Sequence, residues 1–339
     1  KTDVLMAQLS DVSRIDYVVA QHAEQDHAGS LPAVLARYPE ARVIATPKGK
    51  GMLQDLLHLP DDAIEVAEDG ASVSLGDRTL TFLHAPLVHW PETMLTYVPE
   101  SQLLFTCDFF GSHYATSEIY ADGDDAVIAA AKRYYAEIMM PFRRLIGRHL
   151  KRLADLDIRL IAPSHGPVWS EPQAILDAYG DWVASPPANL AVIPFISMHG
   201  STRELVDRLV TALVREGVQV MPYDLTVTDL GDLAMALVDA ATVILGSPTV
   251  LGGAHPQAAY AASLANALRP KTKFASVVGS YGWAGGAADA LVGMLPSLKV
   301  ELIDPVMIQG KPRAKDLAAI DALADAVAAH HREAGLFAQ

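Results

Sequence analysis

From Leu190 onward, five apolar runs alternate with helical stretches. The runs are LAVIPFIS, QVMPYDL, TVILGS, KFASVVG and KVELIDPV; between them lie TRELVDRLVTALVREG, DLGDLAMALVDA, PQAAYAASLANAL and GAADALVGML. Few folds accept this alternation. Strands joined through helices run parallel in one sheet, and the helices must cover both of its faces. The pattern predicts a doubly wound parallel sheet of order 2-1-3-4-5. The Ala-rich stretch AKDLAAIDALADAVAAHHREAG reads as an amphipathic closing helix.

The chain divides near VASPPANL, Val183 to Leu190, where two prolines cannot continue a helix and a new apolar run follows. Its 339 residues suit two domains, expected at 1–183 and 190–339. The first is mixed. RVIA, VSL, TLTFL, MLTYV and LLFT read as short strands; DAVIAAAKRYYAEIMMPFRRLIGRHLKRLADL reads as helices broken at Pro141; IRLIAPSHG reads as a buried strand ending in a histidine loop.

A net charge of −14 argues against nucleic-acid partners and anionic membranes, leaving room for a basic protein partner. No run reaches the roughly 18 apolar residues of a membrane span. A single cysteine, Cys107, allows no disulfide within the chain and suits a cytoplasmic location. Beside no basic neighbour in sequence, it reads as a small packed apolar group.

QHAEQDHAGSLP, Gln21 to Pro32, packs His22, Glu24, Asp26 and His27 into six residues after the apolar run IDYVVA. If the segment stays extended, His22, Glu24 and Asp26 point to one side and His27 to another. Four donors aimed in two directions suit two metal positions. Further candidates stand at predicted strand ends: His89 in LVHWPETM, Asp108 in LLFTCDFFG and His165 in LIAPSHGPVW. Four histidines and three carboxylates, one of them shared, give each of two ions four protein ligands. Glu24 adds a hard anionic oxygen to this set, and carboxylate-rich N/O sites favour a redox metal such as iron or manganese over zinc. His113 and Tyr114 follow Asp108 closely and are candidates to support the centre. His58, His149, His255, His330 and His331 read as solvated, and His84 as packed on a strand.

FISMHGSTRELV joins the first strand of the second half to its first helix. Ser197, Met198, His199, Gly200, Ser201 and Thr202 form a loop whose hydroxyls and N–H groups at a helix N-terminus suit a phosphate monoester. It has neither a Walker lysine nor G-x-G-x-x-G. Two more loops lie beside the expected switch point: Ser247, Pro248, Thr249 and Val250 after the third strand, and Ser280, Tyr281, Gly282, Trp283 and Gly285 after the fourth. Tyr281 and Trp283 are expected to cover a flat ring that the glycines let approach.

H-A-E-Q-D-H with His89, Asp108 and His165, and the flanks HWPETM, YYAEIMMP and PSHGPVW, resemble the flavodiiron proteins. SMHGST resembles their FMN phosphate loop, with His199 and Ser201 where Tyr and Asn are common. The resemblance runs from Ile15 to about Leu295. It implies a metallo-β-lactamase-like αββα sandwich, here short at its N-terminal side, followed by a flavodoxin-like domain. Strands missing before His22 would leave an exposed sheet edge.

The resemblance further implies FMN and two iron ions, with His22, Glu24 and His89 on one iron, Asp26, His27 and His165 on the other, and Asp108 bridging. It implies reduction of O2 to water, expected first, and of NO to nitrous oxide. Electrons would come from rubredoxin, a flavin reductase or reduced coenzyme F420. The implied assembly is a head-to-tail homodimer or a dimer of dimers. Two other readings stay open: a zinc hydrolase fused to a flavodoxin, and a non-catalytic redox sensor or electron carrier.

Overall fold

The structure, a computed structural model, describes residues 1–121 and 125–337. The chain forms two compact units: Lys1–Tyr134 with Phe142–Val183, and Tyr135–Pro141 with Ala184–Gln339. No helix among the described residues is long and apolar enough to cross a membrane.

The first unit is a metallo-β-lactamase-like sheet domain. Three parallel strands, β1 (Tyr17–Val19), β2 (Arg42–Ala45) and β3 (Ile64–Val66), make one sheet in that order. The other sheet holds β4 (Ser72–Ser74), β5 (Thr79–His84), β6 (Met94–Val98), β7 (Leu103–Cys107), β8 (Tyr120–Ala121), β9 (Leu160–Pro163) and β10 (Val168–Trp169). Its order is β4-β5-β6-β7-β9-β10-β8. β4 to β7 are antiparallel neighbours, while β7 pairs β9 in parallel. The apolar side of β2 meets the second sheet through a core of Ile44, Ala67, Phe82 and Met94.

The helix expected to break at Pro141 does so in three steps. An α-helix, Asp125–Tyr134, passes into a π-helical turn, Tyr135–Met139, then a 3-10 turn, Met140–Phe142, before Arg143–Leu153 resumes α geometry. Pro141 lacks the N–H that regular continuation needs, and the turns change pitch around it.

The second unit is a flavodoxin-like parallel sheet. Its strands are β11 (Ala188–Phe195), β12 (Gln219–Asp224), β13 (Ala240–Val250), β14 (Gly253–Ala254), β15 (Phe274–Tyr281), β16 (Glu301–Leu302) and β17 (Val306–Gln309). The order β12-β11-β13-β15-β16 is the predicted 2-1-3-4-5. The fifth strand comes in two pieces, β16 and β17, both paired with β15, with Ile303, Asp304 and Pro305 between them. Period-two alternation feeds two cores. Val192, Val243, Leu245 and Val277 face the helix Pro256–Leu268. Ala191, Ile193, Ile244 and Val278 face Ser201–Arg215 and Ala314–Glu333. Ala258, Ala261, Ala262 and Ala265 form the buried stripe of the first of these helices, and their small side chains let it lie close to the sheet.

The histidine expectations divide. His58 is exposed. His331, expected in solvent, is wholly buried. It sits on the inward stripe of the closing helix, where Thr242 and Asn189 take up its two ring nitrogens.

Candidate metal centre and loop cavity

The chain leaves β1 and delivers His22 and Glu24 from an extended segment. It then coils at once: Glu24 N-caps a single helical turn, Gln25–Ala28, and the Ala28 N–H donates to the Glu24 carbonyl at 2.8 Å. The segment is therefore not extended through Asp26, as the alternation had suggested. The turn rotates Asp26 and His27 away from His22 and Glu24. Among the described residues, His22 and Glu24 fall in one group with His89 and Asp108, Asp26 and His27 in a second with His165, and His27 also clusters with Cys107 and Asp108.

Asp108 joins the groups. Its Oδ2 lies 3.4 Å from His22 Nε2 and 3.3 Å from His89 Nε2; its Oδ1 lies 3.0 Å from His27 Nε2 and 3.2 Å from His165 Nε2. Glu24 Oε2 stands 3.1 Å from both His22 and His89, and Asp26 Oδ2 stands 3.3 Å from His27 and 3.2 Å from His165. Ligand bonds of about 2.1 Å at angles of about 90–110° place neighbouring donor atoms roughly 3.0–3.4 Å apart. The observed spacings are those of atoms sharing a cation.

The polar accounting agrees. Both Asp108 oxygens and His27 Nε2 are buried without a hydrogen-bond partner, although they stand within reach of each other. They aim at a common point instead of at one another. Burial opposes charge on His27, yet the nearby Asp108 carboxylate and Cys107 push the imidazole up to about 11. Burial likewise opposes charge on Asp108, and the surrounding histidines hold its carboxyl far below the usual range. This pocket demands positive charge. A His/Asp metal cluster consistent with a di-iron site is present, and its mixed nitrogen and carboxylate donors fit iron.

Local structure locks the ligand loops together. The Ser164 N–H donates to the Cys107 carbonyl at 2.7 Å, and the Trp169 Nε1–H to the Phe110 carbonyl at 2.9 Å. Phe109 and Phe110 stack at 3.8 Å and meet Tyr179 edge-on. Trp90 stands edge-on to the His22 ring at 5.0 Å.

Two residues near the centre escaped sequence reading. Glu92 is buried and its Oε1 accepts from His22 Nδ1 at 2.6 Å. Burial works against its charge, but the His22 and Ala23 donors hold the carboxyl below its ordinary range. HWPETM places Glu92 three residues after His89, a spacing that would put it beside the ligand. Tyr134 is buried, and burial with the Asp108 charge pushes its phenol well above the ordinary range. The residues named for a supporting role lie differently. His113 is exposed, its ring 5.7 Å from that of His165 and 4.8 Å from that of Tyr134. Tyr114 lines a separate cavity with Thr116, Glu118 and Tyr120.

In the second unit the three loops converge on a cavity of about 430 Å³. Its lining includes Ser197, Met198, His199, Ser201, Thr202, Pro248, Thr249, Val250, Ser280, Tyr281 and Gly282. Gly310 and Lys311, beyond β17, also line it and were not anticipated. Gly200 adopts φ 89° and heads the helix Ser201–Arg215 without a side-chain cap. Ser197 Oγ accepts from the N–H groups of Gly200 at 3.2 Å and Arg203 at 3.3 Å, which folds the loop around the helix start. Ser247 is buried and braces its loop, accepting from the His255 N–H at 3.0 Å. Gly285 has open space where a side chain would stand. Trp283 is 88 % exposed and does not line the cavity. Thr249 Oγ1 is buried without a partner, and the open helix start offers N–H groups. A phosphate-bearing ligand fits these donors.

A family model described as "ODP family beta lactamase" matches residues 3–166. The nitric oxide reductase of Moorella thermoacetica is 39% identical over 319 residues, which cover 92% of this chain and 80% of that protein. Rubredoxin oxygen:oxidoreductase from Desulfovibrio gigas is similar in structure, with a TM-score of 0.94 and 28% identity, over 99% of this chain and 86% of that one. The flavodiiron protein from Giardia intestinalis gives a TM-score of 0.89 and 26% identity, over 97% and 85% of the two chains.

Proposed function

The chain belongs to the flavodiiron proteins, an oxidoreductase family, and from that premise we propose how its residues divide the work. The di-iron domain is assigned to 1–183 and the FMN domain to 190–339. His22, Glu24 and His89 would hold one iron, Asp26, His27 and His165 the other, and Asp108 would bridge. The loops of Ser197–Thr202, Ser247–Val250 and Ser280–Gly285 would hold FMN. When bound, FMN receives electrons from a donor and the iron pair supplies them, with Lewis acidity, for the reduction of O2 to water or NO to nitrous oxide.

The protein's own atoms supply geometry and hydrogen bonds. Imidazole Nε2 atoms present lone pairs, Asp108 keeps the two positions at one carboxylate's span, and Phe109 and Phe110 pack behind it without polar atoms. Burial and the Asp108 charge hold the Tyr134 phenol protonated, so Tyr134 would serve as a hydrogen-bond donor beside the centre. The observation that carries this reading is the division of Asp108, one oxygen toward each pair of histidines.

The relatives support an external redox partner; rubredoxin, a flavin reductase or reduced coenzyme F420 is proposed as the donor. A cytoplasmic location and a head-to-tail homodimer, alone or paired as a dimer of dimers, are proposed with it. The test is metal and flavin analysis of anaerobically purified protein, then turnover of O2 and NO with one artificial donor. Two irons and one FMN per chain with consumption of either gas are expected. Zinc alone, with hydrolysis and no gas consumption, overturns the reading.

A further inference from the structure

Glu92 is 3 % exposed, and among the described residues its only ion-pair contact is with His22. Its Oε1 takes two donors, His22 Nδ1 at 2.6 Å and the Ala23 N–H at 3.0 Å. Its own carbonyl accepts from Thr46 Oγ1 at 2.9 Å, which fixes the residue from the other side. A carboxylate only accepts, so the proton of His22 sits on Nδ1. The lone pair on Nε2 then points at Glu24 and Asp108. The charged acceptor also makes that nitrogen a stronger donor to a metal.

The second position has no counterpart. The Nδ1 of His27 faces the buried thiol of Cys107 at 3.9 Å, a weak partner without charge. Among the described residues, His89 and His165 meet no carboxylates except Glu24, Asp26 and Asp108. The two positions have matching donor sets, two imidazoles, one carboxylate of their own and half of Asp108. They differ in the charge behind one imidazole.

We propose that Glu92 is a positioning residue that makes the His22–Glu24–His89–Asp108 position the tighter of the two, filled first and emptied last. The inference rests on the dinuclear reading above, and its test separates the two. The metal-free full chain is titrated anaerobically with cobalt(II) alone, followed by visible absorption and by hyperfine-shifted proton signals. In the wild type the first equivalent should shift the slowly exchanging Nδ1–H of His22, and the second should shift the His27 and His165 signals. Glu92→Gln keeps an acceptor and removes the charge. It should weaken the first step about 10- to 100-fold, leave the second nearly unchanged and merge the two.

Equal weakening of both steps, or none, overturns the proposal. So does a wild-type first equivalent that shifts His27 and His165, a result that needs no variant to fold. Two cobalt ions bound without order overturn this inference and leave the dinuclear reading standing; no cobalt bound overturns both.

Discussion

The backbone N–H of Ser112 donates to the carbonyl of His165 at 3.1 Å, so the loop carrying Asp108 and the loop carrying His165 form one unit. Gly166 makes the approach possible. It adopts φ +82°, and a Cβ there would stand 2.2 Å from Ser112 Oγ and 3.0 Å from the Ser112 carbonyl oxygen. Gly166→Ala combines a strained conformation with a clash against the Ser112 side chain and a tight contact with its carbonyl, and should destabilise the first unit by about 1–3 kcal/mol. His165 moves with the loop, so metal uptake should fall as well. Gly51, in the helix Pro47–Leu57, has open space where its Cβ would stand, and Gly51→Ala is the matched control. Thermal unfolding and elemental analysis of the pair check this. Equal behaviour of the two variants would refute the account.

Asp108→Asn is the direct test of the shared carboxylate. The amide keeps the shape, removes the charge and turns one metal-facing oxygen into a donor. Four imidazoles then converge with one fewer anion among them. The expected result is loss of most of the paired metal, with at most one ion per chain retained and FMN content near normal. Metal analysis after anaerobic reconstitution decides it; two tightly held ions in the variant would deny Asp108 its bridging role.

Much of this was legible in residues alone, for a physical reason. His22, Glu24, Asp26, His27, His89, Asp108 and His165 are expensive to bring together without a cation, so their clustering at strand ends pointed to one. The alternation after Leu190 foretold the sheet order because parallel strands with helices on both faces have few arrangements. What escaped depended on tertiary neighbours. The turn at Gln25–Ala28 is too short to show periodicity. Glu92 and Tyr134 matter only through what they touch, and His331 looked solvated because its partners lie far away in sequence. Trp283, expected over a flat ring from its place in a loop beside the switch point, stands exposed while its neighbour Tyr281 lines the cavity.

The loop cavity makes a separate prediction. Ser201 and Thr202 stand at the start of the helix Ser201–Arg215, beside the Ser197 hydroxyl, and both line the cavity. Removing both hydroxyls as Ser201→Ala with Thr202→Ala should weaken FMN by about a hundredfold or more, since bonds to a charged phosphate contribute about 1.5–3 kcal/mol each. Riboflavin has no phosphate and should lose little, and metal content should stay near normal. Fluorescence titration of the flavin-free protein with each ligand checks it. Parallel loss of both ligands and of metal would mean a folding defect instead.

His331 predicts a pH dependence that owes nothing to the metal centre. Its Nδ1 lies 2.7 Å from Asn189 Oδ1, and Asn189 Nδ2 donates to the Gly217 carbonyl, so the Asn189 oxygen faces the ring and must accept. The proton is therefore on Nδ1, and Nε2 accepts the Thr242 hydroxyl at 2.6 Å. Phe274 stacks on the ring at 5.9 Å. Burial, with the neighbouring His330, pushes the imidazole down from 6.5 to about 4. A lowered value in the folded chain means that the unfolded chain binds the proton first. The stabilisation is complete above about pH 6.5 and is lost as the pH falls toward 4, to a total of about 3 kcal/mol. His331→Leu should be less stable at neutral pH, because Thr242 and Asn189 lose their partner, but its stability should fall less steeply across that interval. Guanidinium unfolding of both proteins at several pH values, read through amide exchange in β11 and β13, gives the two slopes. Parallel curves would mean that His331 is not held neutral by its burial.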